Sequence, residues 1–172
     1  LIKTGGLADV SAALPPALAA LGVDMRVLVP GYPQVMDALK TKGRAASLPM
    51  LPGLPPAQLI ASKLPSGVPL LVVECAIYDR IGGPYQDATG RDWPDNDLRF
   101  GLLSYVGALL STPDSPFMWK PDIIHCNDWQ TGLTPAYLHF VAGPRARSLI
   151  TIHNLAFQGI FPPATVQQLN LP

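Results

Sequence analysis

Four short runs rich in aliphatic, often branched, side chains, at residues 25–29, 70–73, 123–125 and 149–152, are separated by stretches with helical spacing. Runs this short make poor helices and read as strands. Strands that alternate with helices place the chain in the α/β class, with a parallel sheet whose strands are joined by crossover connections. The first helix is expected over residues 6–21, where Leu7, Val10, Leu14, Leu18 and Leu21 recur at helical intervals, with Gly22 at the C-terminal cap. Pro15 and Pro16 interrupt that pattern and predict a kink or a break. A short helix is expected over 34–42. A stronger amphipathic one spans 97–110, capped by Asp95 or Asn96, and another spans 131–141, with Pro135 near its first turn. Residues 48–69 are proline-rich and read as an irregular excursion with room for a hairpin, and 78–95 as a long loop.

The chain has 172 residues, enough for one domain with a real core. Lys and Arg number 12 and so do Asp and Glu, so the formal net charge is zero, which argues against nucleic acid as a partner. Hydrophobic residues make up 48%, yet no uninterrupted apolar run approaches the roughly 20 residues that a bilayer demands. Lys3 and Asp9 break up the first ten residues, which do not resemble a secretory signal. Cys75 and Cys126 have no metal-like spacing and read as reduced thiols of a cytoplasmic protein.

Four segments carry candidate chemistry. In Lys3-Thr4-Gly5-Gly6, a glycine pair opens a helix, so free N–H groups and the helix dipole suit an anion, with Lys3 beside it. The order of residues is not that of a phosphate-binding P-loop. The plain alternative is a helix-start loop with a solvated lysine. His125-Cys126-Asn127-Asp128-Trp129-Gln130 lies at the C-terminal end of an expected strand, the edge where open α/β sheets bind ligands. A carboxylate, an indole and an amide there suit a polyol, although Asp128 as a helix cap and Trp129 as a core anchor fit as well. Thr151-Ile152-His153-Asn154 follows another strand on the same expected edge, and His153 is a candidate donor to a hydroxyl or a phosphate, or a structural histidine. The loop from Tyr78 through Tyr85 to Asn96 combines aromatics, carboxylates and arginines, as carbohydrate sites and ordered surface loops both do. Its aspartates lack the spacing of a calcium loop, so no metal site is assigned.

Taken together, KTGGLADV, VLVPGYP, YDRIGGPYQDATGRDWPDNDLRF, PDIIHCNDWQTGL and TIHNLAFQGIF resemble the bacterial glycogen synthase and plastid starch synthase family, in the family's order and over essentially the whole chain. The resemblance implies the N-terminal, acceptor-side half of a GT-B glycosyltransferase, in which two Rossmann-like domains face each other across a cleft. This half would be a parallel sheet with flanking helices. The implied reaction is a retaining, metal-free transfer of glucose from ADP-glucose to the non-reducing end of an α-1,4-glucan such as glycogen, with no cofactor. Lys3, Gly5, Gly6 and Asp9 are then the donor-binding candidates, His153 and Asp128 the catalytic ones, and Tyr85, Trp129 and Asn154 line the sugar or acceptor side.

Three departures accompany the resemblance. The family's first strand, ending in a Ser-Glu pair before the lysine loop, is not in this sequence. Nor is the second, donor-binding domain with the cations that neutralise the departing diphosphate, so residues 1–172 are expected to be one partial domain, inactive when isolated. The approach to the Tyr-Asp loop through Glu74-Cys75-Ala76-Ile77 also looks shortened. Other glycosyltransferases of similar architecture, such as sucrose- or trehalose-forming enzymes, and a non-catalytic glucan- or nucleotide-binding module remain as alternatives. A nicotinamide-binding domain is disfavoured because no G-x-G-x-x-G follows a strand.

Overall fold

The computed structural model describes residues 6–39, 42–43, 45–50 and 52–171. They form a mixed α/β fold of two compact units, one made of Leu1–Leu48 with Pro55–Arg91 and the other of Pro49–Leu54 with Asp92–Pro172.

The first unit is built on β4 (Pro69–Cys75), which lies between β1 (Val27–Pro30) and β3 (Ala57–Lys63), with β2 (Ala45–Ser47) beyond β3. Leu70, Leu71, Val72 and Val73 are all buried, the continuous apolar run of a strand covered on both faces. β1 pairs with β4 in parallel, Val27 opposite Leu70, as the strand–helix alternation predicts. The expectation of a wholly parallel sheet is corrected here, because β3 runs antiparallel to β4 and β2 antiparallel to β3. The cause is a tight turn inside the proline-rich stretch. Gly67 takes φ +85°, its N–H donates to the Leu64 carbonyl at 2.9 Å, and the chain folds back so that Lys63 faces Pro69.

Helix α1 (Gly6–Ala20) runs through Pro15 and Pro16 without a break. Those prolines deprive the carbonyls of Ser11 and Ala12 of their helical donors, but both residues are exposed and water can replace the lost bonds. The helix ends as its sequence predicts. Gly22 adopts φ +86°, its N–H donates to Ala19, and the N–H of Val23 reaches back to Leu18. Helix α2 (Pro33–Ala38) follows β1 directly. The loop after β4 is organised by Asp87, whose carboxylate accepts the N–H and hydroxyl of Thr89 at 2.8 and 2.7 Å and the N–H of Arg91 at 3.1 Å.

The second unit is centred on α3 (Asn96–Leu109), buried along most of its length, Arg99 and Phe100 included. The guanidinium of Arg99 donates to Asn96 Oδ1 at 2.8 Å and lies 5.4 Å from the centre of the Trp93 ring. α4 (Thr134–His139) packs on α3, with the Thr134 hydroxyl donating to the Ser104 carbonyl at 3.1 Å. A single 3₁₀ turn, Trp129–Thr131, precedes α4, which is shorter than the helix expected over 131–141. α5 (Thr165–Gln168) was not foreseen. The Tyr137 hydroxyl donates to the Leu169 carbonyl just beyond it at 2.7 Å, and burial pushes that phenol up to about 12. β5 (Ile123–Asn127) and β6 (Arg147–Thr151) form their own parallel pair. Cys75 and Cys126 are buried free thiols, and burial raises that of Cys126. Among the described residues no helix is long and apolar enough to cross a membrane.

The three donors converging on Asp87 hold its carboxyl below the ordinary aspartate value, the Thr89 hydroxyl first. A depressed folded-state value means the stabilisation is present above the ordinary value and lost as pH falls through the depressed one. Side-chain NMR should show Asp87 titrating below a free aspartate, with the amides of Thr89 and Arg91 moving in step. Titration at or above the free value would dissolve this account of the loop.

Candidate active site

The parallel pairing of β5 and β6 carries the loops after both strands to one edge. In this register His125 stands opposite Leu149, and Asn127 opposite Thr151. Side chains two residues apart share a face, so His125 and Asn127 project from one face of β5, and the intervening Cys126 is buried. Across the pair, His125 Nε2 lies 2.7 Å from Thr151 Oγ1, and one rung further His153 Nε2 lies 3.0 Å from Asn127 Oδ1. The two contacts repeat one diagonal offset and make a short polar ladder that leads out of the sheet into the loops.

At the top of the ladder the chain is strained. Asp128 has φ 56° and ψ −172°, a conformation that side-chain-bearing residues rarely adopt and that costs on the order of 1–3 kcal/mol. Three bonds hold it. The Asp128 N–H donates to the Thr151 carbonyl at 2.9 Å, the Asp128 carbonyl accepts from Thr131 N–H at 3.3 Å, and Oδ1 accepts the backbone N–H of His153 at 2.6 Å. Asp128 occupies the N-cap position of the 3₁₀ turn without capping it. The carboxylate ties the β5 loop to the β6 loop instead. Thr131 secures the base of the turn, its hydroxyl accepting from Asn127 N–H at 2.7 Å and donating to the Asn127 carbonyl at 3.0 Å.

The sequence-derived candidates fall into distinct groups. Asp128 and His153 are brought together by that 2.6 Å bond. Asn154 is next in the chain, its Oδ1 accepting Ala156 N–H at 2.9 Å in a local turn. Trp129 is packed edge-on against Phe100, ring centres 4.8 Å apart, and near Phe161 at 5.7 Å. Gly159, at φ +59°, lies against the indole so closely that a Cβ there would overlap the ring. Trp129 thus anchors its loop whatever else it touches. It also lines a cleft of about 390 Å³ with Asp97, Gln158 and Phe161. Gly6, exposed at the start of α1, Asp9, exposed in its first turn, and half-buried Tyr85 belong to the other unit. Lys3 and Gly5 lie outside the described residues. Asn127 and Thr151 fall inside the segments that the sequence marks, but neither is singled out there. The signal that finds them is the pair of alternations His125-x-Asn127 and Thr151-x-His153 on neighbouring parallel strands. Among the described residues no group of three or more His, Cys, Asp or Glu is placed to hold a metal ion.

The whole of residues 1–172 matches the sequence family described as the starch synthase catalytic domain. A glycogen synthase of Nitrosomonas eutropha is 59% identical over 177 residues, which take in 100% of this chain and 35% of that protein. One of Nitrosospira multiformis is 55% identical, covering 100% of this chain and 36% of its own. Glycogen synthase 1 of Rhizobium meliloti is 49% identical over 173 residues. The chain spans little more than a third of the length of these curated relatives.

Strain at Asp128 predicts an inverted order of substitutions. Asp128→Gly and Asp128→Ala both lose the bond to His153, but only glycine adopts the backbone conformation freely, so the glycine variant should be the more stable by about 1–2 kcal/mol. Urea unfolding midpoints of the two variants check this. Equal midpoints, or an alanine variant that is the more stable, would remove strain from the description of the site.

Proposed function

We propose, for a chain that belongs to the starch synthase catalytic-domain family, that it acts in a glycogen synthase, contributing the acceptor-side half of a cleft in which glucose passes from ADP-glucose to the non-reducing end of an α-1,4-glucan. The observation that carries the site assignment is the bond from the His153 N–H to the Asp128 carboxylate, which joins two loops at the C-terminal edge of a parallel strand pair. That edge is where α/β folds gather ligands.

A retaining transfer without a metal must stabilise an oxocarbenium-like sugar and a departing diphosphate. Fixed dipoles and hydrogen bonds do this best when they need no rearrangement as the reaction proceeds. In the proposed arrangement His153 faces the transferred glucose, with its backbone position set by Asp128, and Asn154 and Tyr85 contact sugar hydroxyls. Trp129 keeps its loop in place and offers its remaining surface to the sugar side. Lys3 and Gly5, with Gly6 at the N-terminus of α1 and Asp9, serve the nucleotide-sugar end, where a helix start favours phosphate. The cations that complete neutralisation of the leaving group come from a second, donor-binding domain of the same enzyme. Closure of the two halves expels water and disfavours hydrolysis. The share of each relative that the chain spans is consistent with such a partner domain.

In the full-length enzyme His153→Ala should lower turnover by at least about tenfold with the thermal midpoint little changed, because contacts made chiefly in the transition state act on kcat. Glucose incorporation from ADP-glucose into glycogen is the assay, with a melting curve alongside. A variant that melts many degrees lower yet keeps its turnover when folded would make the histidine structural. A wild-type enzyme that elongates no glucan would sink the proposed reaction itself.

A further inference from the structure

We infer that Asn127 is a positioning residue that fixes the orientation and the proton arrangement of the His153 imidazole. The inference rests on the function proposed above and adds a residue to it.

Asn127 is among the most firmly held polar groups at the site. Its backbone is bonded through both N–H and carbonyl to the Thr131 hydroxyl, at 2.7 and 3.0 Å. Its side chain is oriented by a bond of its own, since Nδ2 donates to the His125 carbonyl at 3.4 Å. That bond decides which end of the amide faces the histidine, because a flipped amide would set Oδ1 against the His125 carbonyl oxygen. Oδ1 therefore meets His153 Nε2, at 3.0 Å. An amide oxygen only accepts, so Nε2 must carry a hydrogen. In the neutral ring Nδ1 is then the unprotonated nitrogen, an acceptor rather than a donor. His153 Nδ1 has no hydrogen-bond partner among the described residues.

The ring is thus held from two directions. Asp128 fixes its backbone through the N–H, and Asn127 fixes its far edge through Nε2. The consequence is selective. A ring so held can receive a hydrogen bond from a substrate hydroxyl at Nδ1 without first exchanging tautomers or turning about its χ angles, and each such rearrangement would otherwise add to the barrier. The ladder below reinforces the arrangement, because His125 and Thr151 pair with the same offset and keep the strand ends in register.

The test uses the full-length enzyme carrying Asn127→Ala, Asn127→Asp, His153→Ala and the Asn127→Ala/His153→Ala double variant. If Asn127 acts through His153, Asn127→Ala lowers kcat about tenfold while the KM values for nucleotide sugar and glucan move less than about twofold. In the His153→Ala background the same change then has less than about a twofold effect, because the ring it positions is gone. Asn127→Asp keeps an acceptor toward Nε2 but loses the donor to the His125 carbonyl, so it restores only part of the loss. A second readout is independent of turnover. With ¹⁵N-labelled histidine, the His153 resonances, identified by their loss in His153→Ala, should show a protonated Nε2 and a bare Nδ1 in the wild type and a mixture in Asn127→Ala. Equal losses of kcat in both backgrounds, or a His153 spectrum indifferent to Asn127→Ala, would overturn the inference. Should the wild type elongate no glucan, the proposed function fails, while the nitrogen spectra still decide whether Asn127 orients the ring.

Discussion

The register between β5 and β6 sets the contacts around His153 and Asp128. Parallel strands place their carboxyl ends side by side, and the two-residue period then decides which side chains can meet. With Asn127 opposite Thr151, the next residue on that face beyond β6 is His153, within reach of Asn127. A slip by one residue would turn His125 and Asn127 toward the side where Cys126 is buried and would leave buried polar groups without partners. The core side of this short pair therefore specifies the polar side, and the thiol of Cys126, which performs no chemistry in this account, keeps the alternation in phase.

The site also concentrates backbone strain, and the compensation is local. A carboxylate that accepts a backbone N–H gives a charge-assisted bond of about 1.5–3 kcal/mol, comparable with the cost of the Asp128 conformation. The edge-on contact of Trp129 with Phe100 and the bare glycine beneath its indole hold the chain immediately after the strained residue. A glycine at position 128 would be the easier choice for the backbone. The aspartate is retained at a cost, and its carboxylate is what joins the two loops.

Much of the fold was legible in the sequence, for identifiable reasons. The runs that become β1, β4, β5 and β6 are dense in aliphatic and branched side chains, and Gly22 closes α1 in the left-handed conformation that favours its residue type. β3 escaped notice because Ala57-Gln58-Leu59-Ile60-Ala61-Ser62-Lys63 lacks a clear alternation and sits between proline-rich stretches; its strand character comes from pairing along its whole length with β4. The hairpin for which the proline-rich stretch has room is the antiparallel β3–β4 pair, with its turn between Leu64 and Val68. Continuity of α1 through two prolines depends on the exposure of the carbonyls they abandon, which a local pattern does not reveal. At the site, the motifs marked the right loops, but the part played by Asn127 depends on the register of a neighbouring strand more than twenty residues away, information that no single motif holds.

The bond between the Asp128 carboxylate and the His153 amide bears on how the site moves as well as on how it is shaped. Two loops on separate strands would ordinarily fluctuate independently. Here the β6 loop cannot lift without withdrawing the donor that holds Asp128 in its strained conformation, and Asp128 cannot relax without releasing the His153 amide. Opening of either loop therefore loosens the hold on the other, so the amides of the two loops should exchange with coupled rates, and a ligand that docks against one should slow exchange in the other.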